Sequence, residues 1–173
     1  MLMPFGSAFT VNNLNITIDK LPMIYLITGI CAIFTGPLIG KASDAYGKLK
    51  TFTFGTIVTI IMVYIYTNMG PSPLWMAVVV NAVLFVGIFS RMIPAQAFMS
   101  SIPEPARRGA FMAVSTSLQQ ISGGIAAVIA GVIVHEAPDG KLEHFDTLGY
   151  ILILTAIFNL ALLIYLSKRV ARK

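Results

Sequence analysis

The chain has 173 residues, a net charge of +5 and a mean hydropathy of +0.83. Only 11% of its residues are charged, whereas a soluble domain carries about 25%. Such a chain has too little polar surface to cover itself in water. The composition therefore excludes an ordinary soluble domain and predicts a membrane protein.

Five segments of the sequence are long and apolar enough to cross a membrane. A membrane-spanning helix needs roughly 20 predominantly apolar residues to cross about 30 Å of hydrocarbon. In chain order, the five predicted spans cover residues 22–40, 51–69, 74–99, 109–134 and 147–167. The turn-forming run Asn68-Met69-Gly70-Pro71-Ser72-Pro73 divides the second span from the third. We predict an all-α integral membrane protein in which residues 1–173 form a single transmembrane domain.

Residues 1–11 precede the first span and are apolar, but they are too few to cross a membrane. They end at Asn12-Asn13, a polar pair that suits a helix emerging from the membrane. We interpret this segment as a partial helix, the stub of a sixth span, and a flexible apolar N-terminus is the alternative. The stub interpretation predicts that the chain is a fragment of a longer protein.

Lys and Arg are distributed very unevenly between the two sides of the predicted bundle. Assigning successive loops to opposite sides of the membrane places nine Lys and Arg residues on one side and two on the other. The larger set is Lys41, Lys48, Lys50, Arg107, Arg108, Lys168, Arg169, Arg172 and Lys173, and the smaller set is Lys20 and Lys141. The acids on the side of the smaller set are Asp19, Glu136, Asp139, Glu143 and Asp146. Because cytoplasmic loops carry the excess of Lys and Arg, the C-terminus is predicted to be cytoplasmic.

The loop after the first span, residues 40–50, combines glycines, basic residues and one acid. A short loop between two spans must turn tightly, which Gly40 and Gly47 permit. Asp44 could cap the next helix or pair with a nearby Arg. The alternative is a solvated basic loop that only sets the orientation in the membrane.

This loop resembles the signature G-x-x-x-D-x-x-G-[RK] of the major facilitator superfamily. Gly40, Asp44, Gly47 and Lys48 occupy the matching positions. In that family the signature follows the second helix and often recurs in a weaker form after the eighth. Three residues that the signature usually carries are replaced here, by Ala42, Ala45 and Leu49. The weakened form suits the second copy.

A second stretch extends the resemblance. Residues 90–112, with Arg91 and Pro94 and then the loop Pro103-Glu104-Pro105-Ala106-Arg107-Arg108-Gly109, resemble the tenth helix, its loop and the eleventh helix of the drug:proton and sugar-efflux antiporter branch. The likeness runs along nearly the whole chain, from the end of the seventh helix through the twelfth. It implies the C-terminal helical bundle of a facilitator-type transporter.

Arg91 is the one charged residue inside a predicted span, and a charge in a membrane is a functional candidate because its burial is costly. Eight residues, or about 12 Å, separate it from the predicted end of its span at Met99. One interpretation is a side chain that snorkels to the interface or forms a structural ion pair. The other is a gate residue that pairs with Asp44 or with an acid in the missing half. Pro94 frees a carbonyl and is expected to bend the helix.

Polar residues inside the third and fourth spans are candidates for lining a cavity. Ser115, Gln119 and Ser122 lie at i, i+4 and i+7 and share one helix face, and Asn81 lies in the middle of the third span. Hydrogen bonding between helices is the alternative for all four. Two series of small residues are predicted to be close-packing seams. They are Gly29, Ala32, Gly36 and Gly40 in the first span, and Gly123, Ala127 and Gly131 in the fourth.

The sequence contains no H-E-x-x-H, C-x-x-C, G-x-S-x-G or Walker motif, so we predict no enzyme activity, no cofactor and no metal. We predict the C-terminal half of a secondary active transporter that exports small organic molecules, with proton coupling implied by the resemblance. Its expected partners are a missing N-terminal six-helix half, the lipid bilayer, a small-molecule substrate and protons, and not nucleic acid. The expected location is a bacterial inner membrane. The alternative is a truncated, non-transporting membrane protein that binds a partner.

Overall fold

The computed structural model describes residues 2–138 and 140–170, so Met1, Asp139, Arg172 and Lys173 of the predictions above lie outside the described residues. The helices are α1 (Gly6–Asn12), α2 (Leu21–Tyr46), α3 (Lys48–Thr67), α4 (Leu74–Ser101), α5 (Arg108–Ile133) and α6 (Phe145–Val170). Short 3₁₀ turns at Met3–Phe5, Ile18–Lys20 and Pro105–Arg107 lead into α1, α2 and α5. Five helices among the described residues are long and apolar enough to cross a membrane. The structure is therefore an all-α membrane bundle.

Helices α3 and α4 pack face to face and form the centre of the bundle. The buried residues of α4 recur every three or four positions, as one helix face requires: Ala77, Val80, Leu84, Gly87, Ser90 and Pro94. A Cβ at Gly55 would lie 2.5 Å from Ser90 Cβ, and one at Gly87 would lie 2.8 Å from Thr59 Oγ1. These two glycines let the α3 and α4 backbones approach more closely than any larger residue would permit.

Helix α3 buries several threonines without leaving their hydroxyl groups unpaired. Thr56 and Thr59 donate to the carbonyls of Phe52 and Gly55, four residues earlier, at 2.9 and 2.7 Å. This local bonding satisfies each hydroxyl within its own helix. Thr67 bonds Val63 in the same way and also lies directly against Gly149 of α6. The C-terminal end of α3 therefore packs directly against the N-terminal part of α6.

The short helix α1 is packed into the bundle. The Phe9 ring is 2% exposed and stacks on the Phe145 ring of α6 with centroids 4.1 Å apart. The Tyr66 ring of α3 lies 5.2 Å from Phe9, and its hydroxyl donates to the Gly6 carbonyl at 3.3 Å. In the described part of this segment, α1 therefore packs against α3 and α6.

The connection between α5 and α6 contains a two-stranded antiparallel ribbon that was not predicted. Strands β1 (His135–Glu136) and β2 (Leu142–Glu143) pair with His135 opposite Glu143. Asn13, after α1, donates to the Leu142 carbonyl at 3.0 Å and accepts from the Leu142 amide at 2.9 Å. This double hydrogen bond ties the ribbon to the end of α1. We call this side of the bundle the ribbon end.

The opposite side is the basic end, defined by Lys41, Lys48, Lys50, Arg107, Arg108, Lys168 and Arg169. Helix α2 continues six residues past its predicted limit at Gly40, which lies inside the helix and makes no turn. The chain reverses at Gly47 alone, whose φ of +97° favours glycine. The Lys48 ammonium then donates to the Ala97 carbonyl at 3.0 Å, where a cation complements the C-terminal dipole of α4.

The predicted small-residue seams do not pack against other described parts of this chain. A Cβ added at Gly29, Gly36, Gly40, Gly123 or Gly131 would meet nothing within 4 Å. Helix α5 is the most exposed span, and Ala130 is its only residue recorded as buried. The close contacts involve instead Gly55, Gly87 and Gly149, which lie on the faces that α3, α4 and α6 turn towards one another. Small residues permit close approach, but they do not determine which face meets a neighbour.

Candidate functional site

Two adjoining cavities, the second of them open towards α5, share three lining residues. The first cavity has a volume of about 410 Å³ and is enclosed by α1, α2, α3, α4 and α6. The second has a volume of about 900 Å³ and lies between α4 and α5. Ile88, Arg91 and Asn159 belong to both linings. Arg91 thus stands at the junction of the two cavities.

The described part of the chain provides few interactions that offset the cost of burying the Arg91 guanidinium. Its Nε atom is buried without a hydrogen-bond partner, and its Cζ atom lies 5.6 Å from the centre of the Phe52 ring. A ring face attracts a cation, but more weakly than a carboxylate does. Arg91 also lies ten residues before the end of α4 at Ser101, which is about 15 Å of helix. Arg91 has no ion-pair partner among the described residues, and snorkelling and gating both stay predictions for it.

The backbone contact between α3 and α4 fixes the position of Arg91. A Cβ at Gly55 would lie 3.0 Å from the Arg91 amide nitrogen, so the two helices touch at the level of this residue. Phe52 lies one turn before Gly55 on the same face of α3, which places its ring under the guanidinium. Pro94 is buried inside α4 and has no N–H, so the Ser90 carbonyl loses its usual helical partner.

The structure places the polar stripe of α5 on the second cavity. Ser115, Gln119 and Ser122 all line it. The Gln119 amide donates to Ser115 Oγ at 3.2 Å, and Gln96 of α4 donates to Gln119 Oε1 at 3.4 Å. The stripe therefore lines a cavity and also bonds a neighbouring helix, which were the two alternatives for it. Gln96 lines the same cavity.

Asn81 and two residues that the sequence analysis did not single out add to the polar lining. Asn81 lines the first cavity and donates to the Ala77 carbonyl of its own helix at 2.9 Å, not to another helix. Thr155 and Asn159 of α6 line the first cavity as well. They lie four residues apart in an otherwise apolar span. That i, i+4 polar pair is the signal that could have revealed them.

The residues of the predicted loop signature lie at the basic end, away from the cavities. Asp44 is exposed, two residues before the end of α2, and Gly47 rather than Asp44 precedes α3, with no side-chain cap. Asp44 and Arg91 form no ion pair with each other. Arg91 lies well inside α4, whereas Asp44 lies near a helix end. The structure therefore does not bring this predicted pair together.

Comparison with known proteins identifies the family. The family model described as Major Facilitator Superfamily matches residues 1–173. The chain belongs to the major facilitator superfamily. The match and the five apolar helices together identify a multi-pass membrane protein. Among the described residues, no group of three or more His, Cys, Asp or Glu side chains could hold a metal ion.

Two curated relatives resemble part of the chain. Lincomycin resistance protein LmrB of Listeria innocua is 28% identical over 140 residues, and LmrB of Listeria monocytogenes is 27% identical over the same length. Each alignment covers 80% of this chain but 30% of the relative. The chain thus spans about a third of the length of the relatives that it matches. No solved structure matches significantly.

Proposed function

We propose that this chain forms the C-terminal half of a secondary active transporter that exports small organic molecules by alternating access. The supporting observation is the group of polar side chains that face the two cavities in the middle of apolar helices. It includes Arg91, Asn159 and Gln119. Polar groups at this depth are costly unless they face protein or a water-filled cavity, so they mark transport paths in membrane proteins.

The proposed partner is a six-helix N-terminal half that completes the cavity. Facilitators bind their substrate between two halves and rock around it. The chain aligns with only 30% of the length of its relatives, and α2 and α5 carry long exposed apolar faces. The open glycines of α2 and α5, such as Gly36 and Gly123, would allow another helix to approach closely. A second half would cover these faces and supply the opposite wall.

The relatives suggest a lincosamide such as lincomycin as a first substrate to test. We further propose proton-coupled export across a bacterial inner membrane, with the C-terminus in the cytoplasm because the basic end carries most Lys and Arg. The described acids, Asp19, Asp44, Glu104, Glu136, Glu143 and Asp146, all lie in connections or within three residues of a helix end. A carboxylate that carries the proton within the membrane would therefore belong to the other half.

The test is co-expression in a bacterium that lacks its own drug exporters. The chain, the N-terminal half of a lincomycin resistance relative, and both together are compared for accumulation of radiolabelled lincomycin, with and without a protonophore. We expect export only with both halves, and its loss when the proton gradient is dissipated. Both halves inserted and co-purifying without any export would overturn the transport proposal and favour the alternative of a non-transporting, partner-binding subunit.

A further inference from the structure

The two cavities carry one formal charge between them. Among the described residues that line either cavity, Arg91 is the only Lys, Arg, Asp or Glu. The described acids lie near the helix ends, so none of them neutralises the guanidinium. Within the described chain, the junction of the cavities is therefore a site of net positive charge in an apolar setting.

A half-buried arginine whose Nε is enclosed without an acceptor is an incomplete arrangement. Arg has five N–H donors in a planar fork that matches a carboxylate, and Arg91 makes no hydrogen bond in the described chain. A buried charge is costly unless it is paired and hydrogen-bonded. Phe52 supplies only a ring face at 5.6 Å. The missing acceptor must come from outside these residues.

A second amide lies beside the same junction. Asn159, an exposed residue of α6, lines both cavities with Arg91. Its side chain makes no hydrogen bond with the described residues, so its NH₂ group is free to donate. Leu84 and Phe85 form part of the apolar wall of the first cavity. Phe111 and Leu118 form part of the apolar wall of the second. Cavities of this size and mainly apolar lining, with a few polar groups, are typical of sites for drug-sized ligands.

We propose that the junction is a binding site for amphipathic organic monoanions, with Arg91 holding the carboxylate and Asn159 donating a further hydrogen bond to it. The apolar walls take the hydrophobic body of the ligand. The inference rests on the proposed function and names a charge class of ligand for this half. Lincomycin carries a basic amine, so it is not a ligand of this junction and would have to be bound by the other half. A cationic ligand is disfavoured by repulsion from Arg91 in a low dielectric.

The experiment measures binding to the chain itself, so its outcome is separate from that of the transport assay. The chain is placed in nanodiscs of zwitterionic lipid, and saturation-transfer NMR titrations compare 4-phenylbutyrate, 4-phenylbutanamide and 4-phenylbutylamine. These probes share an apolar body and differ in head group: anionic, neutral and cationic. Empty nanodiscs give the lipid background, and circular dichroism checks the fold of each variant.

Three variants separate the site from general electrostatics. Arg91→Gln removes the charge, Arg91→Lys keeps the charge but loses the fork, and Lys50→Gln removes the same charge from an exposed position at the basic end. We expect the anion to bind about 10- to 100-fold more tightly than the amide, as hydrogen bonds to charged groups allow. Arg91→Gln should abolish that preference, Arg91→Lys should reduce it, and Lys50→Gln should leave it unchanged.

Three outcomes would overturn the proposal. The first is equal affinity of the wild-type chain for anion and amide, or no binding of any probe. The second is an unchanged anion preference in Arg91→Gln. The third is an equal loss of affinity for all three probes, which would indicate that Arg91 pairs with a protein carboxylate or serves the fold. Anion-selective binding without export by the two halves would leave this site standing and contradict the proposed function.

Discussion

The contact between α3 and α4 predicts that Gly55→Ala destabilises the bundle. The added Cβ would lie 2.5 Å from Ser90 Cβ, 2.7 Å from the Ser90 carbonyl carbon and 3.0 Å from the Arg91 amide nitrogen. Two of these three atoms belong to the α4 backbone, which cannot turn aside as a flexible side chain can. The helices would have to separate at the level of the cavities.

The size of the effect follows from two opposing contributions. Overpacking of a tight core costs about 1–3 kcal/mol. Replacing a helical glycine with alanine favours the helix by about 1 kcal/mol. The difference between the two contributions is about 0–2 kcal/mol. Because two of the three contacts involve backbone atoms, we expect the free energy of unfolding to fall by an amount near the upper end, about 2 kcal/mol. Gly36→Ala is the matched control, because its Cβ would meet nothing within 4 Å and only the helix-favouring contribution remains.

The assay is unfolding of the purified chain in mixed micelles by increasing sodium dodecyl sulfate, followed by circular dichroism. Gly55→Ala should unfold at a lower detergent fraction than wild type, and Gly36→Ala at an equal or higher one. If Gly55→Ala proved as stable as Gly36→Ala, the close approach of α3 and α4 would be refuted. Gly87→Ala would then also be expected to be as stable as Gly36→Ala.

Three further predictions concern the chain end, the loop signature and the orientation. Phe9→Ala should lower the free energy of unfolding by about 3 kcal/mol in the same titration, because its ring is 2% exposed, and a loss under about 1 kcal/mol would show that α1 is not part of the core. Asp44→Asn in the co-expressed halves should reduce export at equal membrane abundance, and unchanged export would leave the residue an orientation signal only. In a Cys31→Ser background, an impermeant maleimide should label Glu136→Cys but not Ala45→Cys in sealed cells, and the reverse pattern would invert the proposed orientation.

The sequence by itself determined the class of protein and the location of the spans. In a bilayer every backbone N–H and C=O group must form a hydrogen bond within the protein, so a long apolar segment crosses the membrane as a helix. That constraint is local, and it explains why hydropathy located five helices that the structure contains. Helix ends were less well located, because α2 continues to Tyr46 through residues polar enough to suggest a loop.

The sequence also indicated part of the candidate site. Arg91 and the stripe on α5 were singled out because polar residues in an apolar span need a reason, and the structure places all of them on cavities. Asn159 was missed, because its i, i+4 pair with Thr155 is a short pattern that does not by itself distinguish a cavity lining from a packing contact. The pairing of Asp44 with Arg91 was predicted from their opposite charges alone. The sequence does not show whether two residues on different helices lie at the same depth in the bundle.

The tertiary structure alone decided which helix faces meet. The glycine series of α2 and α5 have the spacing of packing seams, yet they face open space in this chain, whereas isolated glycines at 55, 87 and 149 make the close contacts. Spacing shows that a face is smooth enough for a neighbour but not whether one is present, because contact depends on the positions of all the helices together. For the same reason only the fold could place Arg91 and Asn159, from helices far apart in sequence, at one junction between two cavities.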